Sequence, residues 1–291
     1  MHNIQQIINN IDVDSEILEF AKELEEEYLK YVELLETYDK KFVKKFLDTY
    51  KKKENVASLE MEGSTNLESL FVQELSKKHT SMDYIINILK NNDKISEHDF
   101  KRMHGILMEN DPRDYIKKGE YRDKQTTVGY FDEGTPVIQY IPPAPEDISG
   151  LMMEVLNHCN SNDAQENINH PFLKPAIIHA LILHVQPFED GNSRMGRLLH
   201  HANLWIEGNK KWNINLYQPI MYFSSNYHFN RGGYRGKIIK IDKNISSSDA
   251  WNTWFNYNLM IMNEVFNDIM GSVQKLNIIY SKHEKNSGKN I

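Results

Sequence analysis

Residues Pro175–Asn209 read PAIIHALILHVQPFEDGNSRMGRLLHHANLWIEGN, two helical patterns joined by a break. The first, PAIIHALILHV, is apolar on nearly every side and predicts a buried helix. Pro187 and Gly191 then interrupt the pattern and force a tight loop. A second helix follows in SRMGRLLHHANLWIEGN, closed by Gly208. A glycine-bearing loop feeding a helix N-terminus aims several backbone N–H groups at one spot, and the helix dipole makes that spot an anion site. Arg194 and Arg197 are three residues apart and share a face of the first turns. Two cations at the positive end of a helix are unfavourable unless an anion such as a polyphosphate lies over them. Asp190 would repel that anion unless Mg²⁺ bridged the two. Loop, arginines and carboxylate together predict a Mg²⁺–nucleotide site. By spacing alone, a solvated helix–turn–helix with its arginines paired to surface carboxylates is an equal alternative. No G-x-x-x-x-G-K-[ST] occurs, so the loop is not a P-loop.

The chain around this stretch is ordinary in bulk. It has 291 residues, 40% hydrophobic and 26% charged, with a formal charge of −7. That size supports a sizeable core, and the acidic balance argues against nucleic acid as a general partner. No run approaches the length of a membrane span. The opening MHNIQQIINNIDVDSEI lacks the basic and apolar blocks of a secretory signal. The single cysteine, Cys159, fits a reducing compartment, so the expected location is cytoplasmic.

Helical periodicity dominates elsewhere. Residues 14–53 repeat apolar positions at Ile17, Phe20, Leu24, Tyr28 and Tyr31 and read as helix. VASLEMEG, 56–63, is a short helical candidate stopped by Gly63, and 66–110 holds two or three more helices. The only β signal is QTTVGYF-DEGTP-VIQYIPP, a hairpin turning at Asp132, Gly134 and Pro136. Residues 276–291 are expected to fray. The expected fold is mainly α with one small β-hairpin.

The run Gln186-Pro187-Phe188-Glu189-Asp190-Gly191-Asn192-Ser193-Arg194-Met195-Gly196-Arg197 resembles the signature of the Fic (Fido) family, H-P-F-x-[DE]-G-N-[GK]-R-x-x-R. Two positions depart, Gln186 for histidine and, mildly, Ser193. GEYRDKQTTVGYF and IQYIPPAPEDISGLMMEVL resemble the family's flap hairpin and following helix, and FSSNYHFNRGGYRGKI its segment after the motif helix. Ser58-Leu59-Glu60-Met61-Glu62-Gly63 resembles the inhibitory pattern [ST]-x-x-x-E-[GN] of members with an N-terminal inhibitory helix. Ser58 and Glu62 are four residues apart and share a helix face.

The resemblance implies a Fic-type helical bundle with a flap and an N-terminal helical extension. It divides the chain into 1–94 (with the inhibitory helix at 56–63), a core at 95–275 and a tail at 276–291. It also implies transfer of AMP from ATP to a protein hydroxyl. Asp190 would hold Mg²⁺. Gly191, Asn192, Ser193 and Gly196 would lie along the phosphate cradle, with Arg194 on the β-phosphate and Arg197 on the γ-phosphate. Tyr234 would lie near the adenine. Glu62 would pair with Arg197, and the 126–141 hairpin would dock the target chain as an added strand.

Gln186 stands where the family places the histidine that takes the proton from the attacking hydroxyl. An amide cannot accept that proton near neutral pH. His184, two residues back on a helix, should face another way, and His179 should be a hydrogen-bonded core histidine. The sequence thus predicts nucleotide binding with weakened transfer. A non-catalytic Mg²⁺–ATP-dependent protein-binding module and an enzyme that removes AMP are the alternatives.

Overall fold

The structure is a computed structural model that describes residues 3–61, 80–92, 94–109, 111, 113, 116–161, 168–212 and 223–287. Helix α1 (Ile4–Asn9) starts at Asn3, whose Oδ1 accepts from Gln6 N at 2.7 Å. The predicted helix over 14–53 is two helices, α2 (Ser15–Glu36) and α3 (Lys40–Glu60). The break is chemical: Asp39 accepts from the amides of Lys41 and Phe42 at 3.0 and 3.2 Å and restarts the helix as its N-cap. Such a cap is worth about 0.5–2 kcal/mol. Asp39→Ala is therefore expected to lower the urea midpoint by an amount in that range, with the slope unchanged. The short helix expected at 56–63 is the last turns of α3, which ends at Glu60. Glu62 and Gly63 lie outside the described residues.

Helix α4 (Ser81–Asn92) leads to α5 (Glu97–Leu107), which opens on a Ser96–Asp99 capping box. The hairpin follows as β1 (Val128–Asp132) and β2 (Thr135–Tyr140), antiparallel from Val128↔Tyr140 to Asp132↔Thr135. Its two-residue turn has positive φ at both Glu133 (47°) and Gly134 (84°), the turn geometry that matches strand twist. At Gly129 a Cβ would meet the Val137 carbonyl oxygen at 2.0 Å, so the strands can approach only because the side chain is absent. Both strands are open edges, and Tyr130, Phe131 and Ile138 are exposed.

Helix α6 (Ile148–Asn160) packs on α7 (Leu173–Val185), the central helix. Every residue of α7 but His184 is buried, as its all-round apolar pattern requires. Its most extensive partner is α8 (Asn192–Trp212). Gly196 permits that contact, since a Cβ there would lie 2.6 Å from His179 Cδ2. Helices α9 (Ser224–Phe229), α10 (Arg231–Lys243) and α11 (Ser248–Ser287) complete the body. The backbone of α11 stays helical to Ser287, past position 276 where fraying was expected. The sheet-poor, helix-rich architecture is the fold class read from the sequence. No helix among the described residues is long and apolar enough to cross a membrane.

Candidate active site

The motif loop is built by three buried clamps. Asn192 closes it on itself, accepting from Phe188 N and donating to Phe188 O, both at 2.9 Å. His104 lies flat on Phe188, with ring centroids 3.7 Å apart and planes 1° from parallel. Its Nε2 donates to Asp190 O at 3.0 Å and its Nδ1 accepts from Gly119 N at 2.9 Å. Burial, the largest influence, pushes the His104 pKa down to about 4, so the ring is neutral. Arg122, 2% exposed, caps the end of α7: its Nε donates to Gln186 O at 2.8 Å and its Nη2 to Pro143 O at 2.6 Å. A cation there faces the negative end of the helix dipole. His104 and Arg122 escaped the sequence reading because neither lies in the motif, and His104 reads only as one more position on the buried face of α5 with Phe100 and Met103.

The clamps hold a cleft of about 600 Å³ between β1, the motif loop and α10. Thr126–Tyr130, Gln186, Asp190, Ser193, Arg197 and Tyr234 contribute to its lining. The volume is that of a small-ligand pocket. Gln186 closes α7 in the left-handed region (φ 47°, ψ 61°). Its Nε2 turns back to donate to Leu183 O at 2.8 Å, leaving Oε1 as the polar atom not engaged with the helix. His184 does not line this cleft. Its Nδ1 lies 2.9 Å from Tyr140 Oη and 3.4 Å from Asp242 Oδ1.

Arg197 is 1% exposed and lines both the cleft and a smaller cavity of about 70 Å³ behind it. Its Nη2 donates to Ser58 Oγ and O at 2.9 and 3.0 Å, and its Nε to Ser58 Oγ at 3.1 Å. One turn away on both helices, Glu54 Oε1 accepts from His201 Nε2 at 2.6 Å. Helix α3 therefore runs antiparallel to α8 with Ser58 on Arg197 and Glu54 on His201. Ser224 N also donates to Glu54 Oε2 at 2.8 Å. These contacts hold the Glu54 carboxyl below its usual range against the burial that would raise it. Arg194, 8% exposed, has only the Met108 sulfur at 2.9 Å beside its Nη2, and its buried Nε has no partner among the described residues. A guanidinium so poorly matched is poised for an anion.

Four of the expected site residues have contacts of their own. Gly196 faces His179 in the helix–helix contact. The Asn192 side chain closes the loop through Phe188, and the residue lines the cleft. Tyr234 borders the cleft but is 4% exposed, with its hydroxyl 2.8 Å from His179 Nε2, so it serves the core first. Asp190, expected to hold Mg²⁺, has both oxygens engaged: Oδ1 with Gly191 N at 2.5 Å and Oδ2 with Arg113 Nη2 at 2.5 Å. Among the described residues no group of three or more His, Cys, Asp or Glu is arranged to hold a metal. The residues present do not fit a divalent ion at Asp190, and no metal-dependent step follows from them.

Fold and site together define a mainly helical protein with a cleft between the hairpin and a helix N-terminus. Residues 94–204 match the Fic/DOC family. A protein adenylyltransferase Fic from Aedes aegypti is 36% identical over 132 residues, 44% of this chain and 23% of that protein. One from Drosophila grimshawi is 32% identical over 159 residues, 54% of this chain and 29% of that protein. The chain thus matches about a quarter of the length of these relatives. A Fic domain containing signaling protein from Bacteroides thetaiotaomicron shares the fold with a TM-score of 0.66 at 17% identity, covering 88% of this chain and 97% of that one. Fic-1 from C. elegans does so with a TM-score of 0.62 at 18% identity, covering 89% and 72%.

Proposed function

We propose that the chain binds ATP in the flap-covered cleft and belongs to the machinery that transfers AMP to a protein hydroxyl, with its own transfer step weakened by Gln186. The observation that carries the reading is the pair of buried arginines at the start of α8: Arg194, whose Nε has no partner among the described residues, and Arg197 covered by Ser58. Arg194 takes the β-phosphate and Arg197 the γ-phosphate, while the N-terminal amides of α8 face the anion. The target chain adds to the open edge of β1, beside Gln186, and places its hydroxyl at the α-phosphate. The oxygen–phosphorus bond forms as the bond to the β-phosphate breaks, pyrophosphate leaves and the hydroxyl proton passes to water. Gln186 Oε1 orients that hydroxyl by accepting its hydrogen bond but does not remove its proton. Positioning and phosphate neutralisation remain, and these carry most of phosphoryl-group catalysis.

Helix α3 sets the resting state. Ser58 already covers the Arg197 fork, and the carboxylate of Glu62, four residues on in the sequence, competes with the γ-phosphate for it. Carboxylate pairing with a guanidinium is bidentate and strong.

The location of Gln186 Nε2 on Leu183 O favours one second reading, a nucleotide-dependent module that captures a peptide strand without chemistry. ATP labelled on the α- or the γ-phosphate separates the two in a Glu62→Gly background. Retained α-label on protein with no γ-label is the expected result. Nucleotide bound with neither label transferred establishes the module, and retained γ-label would overturn AMP transfer.

A further inference from the structure

Arg113 lies outside the motif, yet it reaches the motif carboxylate. Its Nη2 sits 2.5 Å from Asp190 Oδ2 and 2.6 Å from Asp111 Oδ2, and its Nε donates to Asp111 Oδ1 at 2.8 Å. The fork is bidentate on Asp111, which is the stronger geometry. Asp111 is itself fixed: its carbonyl accepts from Lys118 Nζ at 2.9 Å and its carboxylate from the Arg113 amide at 3.1 Å. Hydrogen bonding to Arg113, with the nearby charge of Arg194 assisting, holds the Asp111 carboxyl down to about 2. Arg113 is thus anchored through Asp111 and presented to Asp190, whose side chain is one-third exposed. The side-chain hydrogen bonds of Arg113 among the described residues run through Nε and Nη2.

We infer that Arg113 takes the place of a divalent cation at Asp190, so that the polyphosphate meets a fixed guanidinium there and binds without a metal ion. The inference rests on the nucleotide reading above. An anion over the start of α8 lies beside Asp190 and is repelled by a bare carboxylate. A bound divalent ion removes that repulsion in a site with open oxygen ligands, but here both Asp190 oxygens are engaged by N–H donors. A guanidinium stays charged at any working pH and supplies N–H groups suited to phosphate. Seating an ion at Asp190 requires breaking the Arg113 contact first.

ATP affinity, measured by calorimetry in excess EDTA and in Mg²⁺, tests this on the parent chain, Arg113→Gln and Arg113→Lys. Each is made with Glu62 and with Glu62→Gly, so that the cover of Arg197 does not mask binding. In EDTA the parent is expected to bind within about threefold of its Mg²⁺ affinity. R113Q is expected to weaken binding in EDTA by about 10- to 100-fold, the worth of a lost charged hydrogen bond. Mg²⁺ should restore R113Q, because Asp190 is then open, and R113K should retain part of the EDTA affinity. Unfolding temperatures of the variants separate this from a loss of folding. A parent that loses binding in EDTA, or an R113Q that matches it there, overturns the inference and leaves the nucleotide reading intact. Absence of binding in every background, with and without Mg²⁺, overturns both.

Discussion

Gln186→His is expected to raise AMP transfer by about 10²- to 10⁴-fold, the usual contribution of a positioned general base, or about 3–5 kcal/mol of barrier. The geometry favours a clean exchange. Gln186 closes α7 at φ 47°, a left-handed position that histidine tolerates better than most residues. Its carbonyl is held by Arg122 at 2.8 Å and its amide by Ile182 O at 2.9 Å, so the backbone is fixed independently of the side chain. The side-chain contact that would be lost, Nε2 to Leu183 O, is a neutral surface-side hydrogen bond worth about 1 kcal/mol. His184 does not substitute for the missing base, because it faces Tyr140 and Asp242 and does not line the cleft. The check is the single-turnover rate of α-label transfer in the Glu62→Gly background for both residues. Equal rates would show that positioning governs the step and that position 186 is no base. A rate with histidine and none with glutamine would place the parent chain in the non-catalytic class.

The central architecture was legible because two signals coincide in one stretch. The all-round apolar run of α7 demands burial, and Pro187 with Gly191 demands a turn. The hairpin was legible from alternation and from the turn at Gly134, where the structure takes a positive φ; the need for glycine at 129 emerged only from the strand pairing. The break between α2 and α3 was not, because Asp39 sits among periodic Leu, Tyr and Lys residues and acts through a local cap that periodicity does not register. At the site, the motif located Arg194 and Arg197 at the start of α8. It did not foresee the contacts of Gly196 and Asn192, since a motif gives positions without saying which way each side chain turns. Gly196 is required by His179, and Asn192 by the loop's own backbone. Arg113, Arg122 and His104 come from segments 64 or more residues away. Their approach to the loop is a tertiary fact with no local pattern behind it.

Lowering the pH from about 6.5 to about 4.5 is expected to destabilise the fold by several kcal/mol before most carboxylates titrate. Burial pushes His104, His158 and His170 each down to about 4, and His179 and His200 well below the ordinary value. Their neutral tautomers are fixed by structure. His104 Nδ1 accepts from Gly119 N, and His170 Nδ1 accepts from Phe172 N at 3.2 Å while its Nε2 donates to Glu25 Oε2 at 2.9 Å. Between the unfolded value near 6.5 and the folded value, the unfolded chain binds protons that the folded chain refuses. Stability is therefore complete above about pH 6.5 and falls as the pH drops towards 4. For His104, His158 and His170 this amounts to about 2 kcal/mol each by pH 5. Asp242 works in the opposite sense: burial raises it to about 6, so the folded state gains stability on its protonation over the same range. One carboxyl offsets part of the three histidines, and the net loss by pH 5 is about 4 kcal/mol, a large share of a typical domain's stability. Urea midpoints at pH 7.5, 6 and 5 check the sign and the size. His104→Gln isolates the motif loop, because glutamine preserves one hydrogen bond without titrating, and the pH slope should fall by about one proton's worth. A flat profile through this range would mean that these histidines are protonated in the folded chain. The clamp from His104 Nδ1 to Gly119 would then be absent, and with it the support of the loop that carries Asp190.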